Sequence, residues 1–205
     1  MTFKNVSVVC EGQTEVDFIK KLNKKYFNAK LISLKPIAIN KTNAMNGNVS
    51  MDRLIHFIKR APEVIITTFI DYYGFKGERE EGYLELEERI RELSGKEHII
   101  AYVQLHETEA LWFTNINAIK EVKNANASQI QALEDIVRIY SNPEDINNSR
   151  ETAPSKRLET IFSDYKKIRD GNAIADKISI EEMKEKCPHF SNWLDMIEEK
   201  VNVLR

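Results

Sequence analysis

Glycine, proline and cysteine are scarce in this sequence, which has 7 glycines, 5 prolines and 2 cysteines among 205 residues. This composition excludes collagen-like, low-complexity and wholly disordered chains. Cys10 and Cys187 are far apart and form no CxxC pair, which favours a reducing cytosol over a disulfide-bonded secreted scaffold. A chain of this length buries enough apolar surface to fold without a disulfide or a structural metal.

Long apolar segments and an excess of charge are also missing. No run of 18 apolar residues occurs, and the N-terminus has no apolar signal core, so we expect a soluble, cytoplasmic protein with no membrane association. The 30 lysines and arginines nearly balance the 32 aspartates and glutamates. This balance provides no global basic field that would indicate nucleic acid, although it leaves a local basic face open.

Common nucleotide-binding and hydrolase signatures are absent as well. The sequence contains no P-loop, GxGxxG, GxSxG or zinc-cysteine pattern. Their absence argues against a nucleotide-fuelled motor, a dinucleotide dehydrogenase, an α/β-hydrolase and a zinc finger.

Apolar runs alternate with helical spacing through the first half of the chain, which predicts an α/β domain with a parallel sheet. The predicted strands cover residues 6–10, 31–39, 64–70 and 99–105. The third of these is almost continuously apolar, as is typical of a central strand buried on both faces. Thr14 and Asp17 predict a capping box for the first helix, and Ser50 predicts the cap of the second.

The second half of the chain shows helical spacing and no strand pattern. Helices are predicted over residues 128–137, 155–165, 180–186 and 190–203. We therefore predict an α/β core over residues 1–115 and a helical extension over residues 116–205, packed together as one compact unit.

Carboxylates directly follow three of the predicted strands, at Glu11, Asp71 and Glu107. Right-handed crossovers place the carboxyl ends of parallel strands at one edge, where open α/β sheets bind ligands, so we expect these residues to share one cleft. Carboxylates there can hold a metal ion or transfer a proton. Simpler explanations stay open, because a β–α turn with Gly12 accounts for the first site and a turn before Gly74 accounts for the second.

Two further clusters carry titratable groups. His106, Glu107 and Glu109 can supply metal ligands or a general acid/base, although the HExxH zinc signature lacks its second histidine and a lone histidine is more often structural. Lys156 and Arg157 stand at a predicted helix start, where they oppose the helix dipole. A bound phosphate would offset that cost, and two solvated basic residues are the simpler alternative.

Several motifs together resemble a known family. The segment 8–15 (VVCEGQTE) resembles the opening motif of TOPRIM domains, in which a Glu and a Gly follow a hydrophobic strand. Later stretches resemble the bacterial domain-of-unknown-function family 4276, which has a TOPRIM-like core. These stretches are 69–74 (FIDYYG), 104–113 (QLHETEALWF), 142–147 (NPEDIN) and 153–158 (APSKRL). The resemblance extends over most of the chain, as far as Trp193.

This resemblance implies a TOPRIM-like fold, with an about four-stranded, mainly parallel sheet flanked by helices. TOPRIM domains occur in topoisomerases, primases and nucleases of the overcoming-lysogenization-defect type. They imply Mg²⁺-dependent chemistry on phosphodiester bonds, with Mn²⁺ as a surrogate. Carried over to this chain, Glu11 is the general acid/base and Asp71 is a metal ligand. The supporting residues are Gly12, Thr14, Tyr73 and His106.

The chain departs from the TOPRIM pattern at one position. The second Asp of the Asp-x-Asp motif falls on Tyr73. The remaining metal ligands would then come from Glu15, Glu107 and Glu109. Lys156 and Arg157 would hold phosphate or nucleic acid.

We therefore predict a Mg²⁺-dependent TOPRIM-like nuclease, or a nuclease subunit, that acts on nucleic-acid phosphodiesters. The resemblance also implies an ATPase protein partner in a bacterial phage-defence or mobile-element setting. The alternative is a non-catalytic TOPRIM-like module that binds or regulates an ATPase partner. A phosphatase-like or nucleotide-binding α/β enzyme shares the same edge geometry, and the sequence leaves a homo-oligomer open.

Overall fold

The computed structural model describes residues 2–40, 49–76, 82–146 and 150–204. The chain forms two compact units. Unit 1 runs as far as Gln104 and resumes at Asn192, and unit 2 runs from Leu105 to Ser191. The break after Gln104 comes earlier than the predicted boundary at residue 115. Asn147, the last residue of the NPEDIN segment, lies outside the described residues.

Unit 1 is built on parallel strands. They are β1 (Lys4–Cys10), β2 (Ile32–Ala38), β3 (Val49–Ser50), β4 (Ile65–Asp71), β5 (Phe75–Lys76), β6 (Ile99–Ile100) and β7 (Val103–Gln104). The main sheet has the order β2-β1-β4-β6, and β7 also pairs with β4. All of these pairs are parallel, and β3 pairs with β5 separately. The predicted mainly parallel α/β sheet is confirmed.

Helices cover both faces of this sheet. In unit 1 they are α1 (Gln13–Leu22), α2 (Met51–Arg60), α3 (Tyr83–Ser94) and the part of α9 (Pro188–Val203) that follows Ser191. Every residue of β4 is buried, as predicted for a central strand. Ser50 caps α2 by accepting the backbone N–H of Arg53, which confirms that prediction.

The two faces of β4 pack against different helices because successive side chains point in opposite directions. Ile66 and Ile70 belong to a cluster with apolar residues of α2 and α3. Phe69 lies on the opposite face, where its ring centroid is 5.4 Å from that of Phe18 in α1 and 5.3 Å from that of Trp193 in α9. Trp193 also donates its indole N–H to Thr67 Oγ1 over 2.7 Å.

The predicted strand over residues 99–105 is divided into β6 and β7. The cause is Thr68, whose hydroxyl accepts the N–H of Tyr102 and donates to the Tyr102 carbonyl, both over 2.8 Å. A side chain therefore replaces the backbone partner at this point of the ladder. Both short strands still pair with β4, so the edge of the sheet keeps its position.

The outer edge of β2 is closed to further strand pairing. Ile39 donates its N–H to Cys10 of β1, so the even-numbered residues of β2 direct their N–H groups outward. The Leu34 N–H is taken by Asn23 Oδ1 over 2.7 Å, and Pro36 has no N–H. These two devices protect an edge strand against association with another chain.

Unit 2 is helical. It contains a 3₁₀ segment (Thr108–Thr114), α4 (Ile116–Lys123), α5 (Ala127–Ile139), α6 (Pro154–Ile161), α7 (Lys167–Lys177), α8 (Ile180–Lys186) and the start of α9. The four predicted helices correspond to α5, α6, α8 and α9, whereas the 3₁₀ segment, α4 and α7 were not predicted. The buried apolar side chains of the unit include Leu111, Trp112, Phe113, Leu133, Leu158, Phe162, Ile174 and Met183.

A buried ion pair joins α4 to α7. Lys123 lies 3.0 Å from Asp170, and both side chains are almost inaccessible to water. Burial alone would raise the pKa of Asp170, but hydrogen bonds from Arg169, the Lys166 N–H and Lys123 hold it below its usual range. Because removing one partner of a buried pair leaves an uncompensated charge, this contact ties the two helices strongly.

No helix in the described parts of the chain is both long enough and apolar enough to span a bilayer.

Trp193 supplies a test of how α9 stabilises unit 1. We expect Trp193→Ala to lower the free energy of unfolding by about 3–5 kcal/mol, because it leaves a cavity beside Phe69 and removes the hydrogen bond to Thr67. Urea unfolding followed by circular dichroism measures this loss. Val203→Ala, at a 72% exposed position of the same helix, is the control and should change the free energy by less than about 0.5 kcal/mol. Equal stability of the two variants would contradict the proposed role of Trp193.

Candidate functional site

Glu11 and Asp71 stand at the carboxyl ends of the neighbouring strands β1 and β4. The two strands are neighbours with Cys10 opposite Phe69, so Glu11 comes beside Ile70 and Asp71 lies one residue further along. Neighbouring strands lie about 4.8 Å apart, which places the two backbones at the same point of the sheet edge. Asp71 is only 7% exposed, and Glu11 is half-buried.

Glu15 serves the start of α1. Its Oε2 accepts the backbone N–H of Gly12 over 2.9 Å, and the side chain is buried. The predicted capping box of Thr14 and Asp17 is therefore wrong, because α1 begins earlier, at Gln13, and Gly12 is its N-cap. Asp17 instead accepts hydrogen bonds from Gln13 and Lys20. Thr14 lies half-buried in the first helical turn.

Tyr73 stands where the Asp-x-Asp pattern would have its second carboxylate. It belongs to the 3₁₀ turn Tyr72–Gly74 that follows β4, and its side chain is 38% exposed. Its ring centroid is 5.9 Å from that of Tyr72. The position therefore presents an aromatic surface rather than a metal donor.

Two residues at the same edge were not identified from the sequence. Asn40 follows β2, and its backbone N–H donates to the Glu11 carbonyl over 2.9 Å. Gln104 is the register partner of Asp71 and is fully buried, with its Oε1 accepting the Tyr102 hydroxyl over 2.7 Å. Each of these residues stands at the end of a predicted strand, and this position could have identified it as a candidate. Neither side chain is charged, so the pattern of carboxylates at the strand ends did not include them.

In unit 2, the side chain of Glu107 contacts a helix terminus. Its Oε2 accepts the N–H of Ser155 at the start of α6 over 2.9 Å. Glu144 of the NPEDIN segment has the same role for α9, where its two oxygens accept the N–H groups of His189 and Phe190, each over 2.9 Å. Carboxylates in these positions satisfy helix N–H groups that have no partner inside the helix.

His106 adopts a left-handed backbone conformation, with φ of 68°. Burial lowers the pKa of its imidazole, although the carboxylates of Asp145 and Glu107 oppose that shift. These effects together favour the neutral form of the ring.

Glu109 is fully buried and forms an ion pair with Lys167 of α7, with Nζ and Oε2 3.1 Å apart. Burial raises the pKa of Glu109 to about 7, with Glu107 adding to the shift and Lys167 opposing it. Burial, followed by the charge of Glu109, also raises the pKa of the nearby Tyr165 hydroxyl. Glu109 thus exchanges a proton near neutrality inside unit 2.

Lys156 and Arg157 both have partners within unit 2. Lys156 Nζ lies 2.7 Å from Glu159 on the exposed side of α6. Arg157 donates to the Thr152 carbonyl over 2.8 Å, and its guanidinium carbon is 5.3 Å from the centroid of the Tyr140 ring. These contacts give Arg157 a role in packing within the unit, whereas Lys156 remains exposed.

The donors at the edge of unit 1 fit a magnesium ion better than a zinc ion. Mg²⁺ takes oxygen ligands, is commonly held by one or two carboxylates, and keeps several waters. Asp71 is a buried carboxylate at this edge. Among the described residues, no group of three or more His, Cys, Asp and Glu side chains could hold a metal ion, so the all-protein cage typical of structural zinc is not found there.

Comparisons with known proteins agree on the fold. The model of the domain of unknown function DUF4276 matches residues 10–198. The C-terminal region of the Burkholderia pseudomallei OLD protein is similar in structure, with a TM-score of 0.50 and 16% sequence identity, over 96% of this chain and 98% of that one. No curated protein matches the chain. The predicted TOPRIM-like fold and the resemblance to the family are confirmed.

Glu107 offers a test that separates helix capping from metal binding. We expect Glu107→Ala to lower the free energy of unfolding by about 1 kcal/mol, because the Ser155 N–H loses its acceptor. Glu107→Gln keeps an acceptor oxygen and should retain most of that stability. Urea unfolding of both variants, with the exposed Glu159→Gln as control, provides the measurement. A loss in Glu107→Gln as large as in Glu107→Ala would contradict the capping role.

Glu109 should make the stability of the protein depend on pH. Its pKa rises from 4.5 to about 7 on folding. Its contribution to the free energy of unfolding is therefore complete below pH 4.5 and is lost as the pH rises through 7. Relative to Glu109→Gln, the wild type should lose on the order of 3 kcal/mol over that interval. Urea unfolding from pH 4.5 to 8 measures this difference, and the exposed Glu181→Gln should follow the wild type. Parallel curves for the wild type and Glu109→Gln would contradict the prediction.

Proposed function

Since the chain belongs to the DUF4276 family and has the TOPRIM-like fold, we propose that it is a Mg²⁺-dependent nuclease or nuclease subunit. The observation that supports this proposal is the position of Glu11 and Asp71 at the carboxyl ends of two adjacent parallel strands. Ligands of open α/β sheets bind at this edge. Nucleic-acid phosphodiesters are the proposed substrates.

In this proposal, Asp71 is the ligand in unit 1 that would hold the ion. When bound, Mg²⁺ polarises a phosphoryl oxygen and makes a coordinated water more acidic. Asp71 is suited to ligation because β4 fixes its backbone and burial restricts its side chain. A single carboxylate ligand would leave most coordination positions to water and substrate oxygens, as a site for phosphodiesters requires.

Glu11 is the proposed general acid/base. It follows β1 directly and is half-buried, so its carboxylate can take a proton from an attacking water or return one to the leaving oxygen. A positioned general acid/base contributes about 10²–10⁴-fold to rate. Glu15 cannot easily share this task, because its carboxylate is engaged by the Gly12 N–H.

The roles predicted for unit 2 remain predictions. Glu107 and Glu109 were predicted as further ligands, and each has a structural contact within the unit. Phosphate binding by Lys156 and Arg157 also remains a prediction. The family resemblance supports an ATPase partner and a phage-defence or mobile-element setting, and we retain both as parts of the proposal.

A second candidate function is favoured by Tyr73. An aromatic side chain that is 38% exposed at the end of β4 replaces a carboxylate that would strengthen the metal site. Exposed aromatics are common at the centres of protein interfaces. A non-catalytic module that binds or regulates an ATPase partner is therefore the alternative.

Metal binding is the first test of the proposal. We expect Mn²⁺ titrated into the wild type to bind in a calorimeter, and Asp71→Asn to weaken that binding at least about tenfold. Glu92→Gln, at an exposed carboxylate on α3, is the matched control and should bind as the wild type does. Circular dichroism checks that all three proteins are folded.

Cleavage assays with single- and double-stranded DNA and RNA then test Glu11→Gln, which should lose about 10²–10⁴-fold in rate. Undiminished cleavage by that variant would overturn the assignment of Glu11. Absence of Mn²⁺ binding in the wild type, with and without added oligonucleotide, would overturn the metal site and favour the regulatory module.

A further inference from the structure

We propose that Gln104 is a positioning residue, whose side-chain amide donates to the Asp71 carboxylate and fixes its orientation at the edge of unit 1. The consequence for metal binding rests on the proposed function. The contact itself does not, because it concerns the metal-free protein.

Sheet geometry places the two side chains next to each other. Asp71 of β4 and Gln104 of β7 are register partners in a parallel pair. Register partners direct their side chains to the same face of the sheet, with Cβ atoms about 5 Å apart. Gln104 is fully buried and Asp71 is 7% exposed, so most of their hydrogen bonds must come from the protein.

The hydroxyl of Tyr102 determines which end of the amide is turned towards Asp71. It donates to Gln104 Oε1 over 2.7 Å, which engages the acceptor end of the amide. The other end of a glutamine amide carries two N–H donors and no acceptor. An ionised carboxylate accepts only, so Asp71 is the natural partner for that donor end.

Tyr102 is itself held firmly. Its ring stacks on Trp193 with centroids 4.6 Å apart and an interplanar angle of 19°, and it lies 5.6 Å from the ring of Phe69. Trp193 is anchored in turn by its bond to Thr67. All of these side chains are buried, so the hydroxyl that orients Gln104 has little freedom to move.

This arrangement explains how a single aspartate can serve a metal site. A hydrogen bond from a neutral donor to a carboxylate stabilises its charged form and selects one oxygen for the donor, leaving the other for a ligand. Residues that orient a metal ligand in this way typically change metal affinity by about 10–100-fold when they are replaced.

The contact is tested first by nuclear magnetic resonance on the metal-free protein. The Gln104 side-chain amide signals in a ¹⁵N correlation spectrum should shift in Asp71→Asn, because a neutral amide is a weaker acceptor than a carboxylate. They should not shift in Glu92→Gln. Gln104 signals that are identical in the wild type and in Asp71→Asn would overturn the proposal, whatever the protein does with metal.

Mn²⁺ affinity tests the consequence. Tyr102→Phe removes only the hydroxyl, and we expect it to weaken Mn²⁺ binding about 10–100-fold without unfolding the protein. Gln104→Met should weaken binding by a similar factor. Tyr165→Phe removes a buried hydroxyl from unit 2 and is the matched control, with unchanged affinity expected. Affinities of Tyr102→Phe and Tyr165→Phe that both equal the wild-type value would overturn the positioning role.

The two experiments separate the two proposals. If the wild type binds no Mn²⁺ but the Gln104 signals respond to Asp71→Asn, the proposed function fails and the Gln104–Asp71 contact stands. If Mn²⁺ binds through Asp71 but the signals do not respond, the metal site stands and the role of Gln104 fails.

Discussion

The parallel pairing of β1 with β4 is the constraint on which the candidate site depends. Cys10 lies opposite Phe69, and this register sets the ends of the two strands, where Glu11 and Asp71 stand, within one residue of each other along the sheet. A slip of one residue would move every side chain of a strand to the other face. It would carry Phe69 away from Phe18 and Trp193, so the aromatic packing that stabilises the sheet also enforces the geometry of its edge.

The acidic residues that cap helices differ in position from the aspartate of the candidate site. Glu15, Glu107 and Glu144 accept backbone N–H groups at helix starts, where a carboxylate meets both an unsatisfied donor and the positive end of the helix dipole. Asp71 instead stands at the end of a strand. A motif rich in glutamate can therefore contain helix caps as well as residues of a functional site. Whether the residue stands at the start of a helix or at the end of a strand distinguishes the two roles.

The parts of the fold that follow from periodicity could be predicted from the sequence. Continuous apolar residues over 64–70 identified the central strand, and the strand-end rule placed Glu11 and Asp71 at one edge. Contacts between distant side chains could not be predicted. The hydroxyl of Thr68 divides the strand over 99–105, and the carboxylate of Glu15 replaces the expected cap at Thr14. Both features depend on hydrogen bonds that form only when the chain is folded, and the local sequence pattern does not predict those bonds.

The neutral residues around Asp71 have a consequence for how the proposed site would work. With Tyr73 in place of a second aspartate and Gln104 as its register partner, Asp71 has fewer like charges nearby than an Asp-x-Asp pair would give it. The same lack of carboxylates would leave a bound Mg²⁺ with few protein ligands, so that water and substrate phosphates would supply the remaining oxygens. In the proposed nuclease, metal and nucleic acid would therefore bind cooperatively, since each completes the coordination that the other requires.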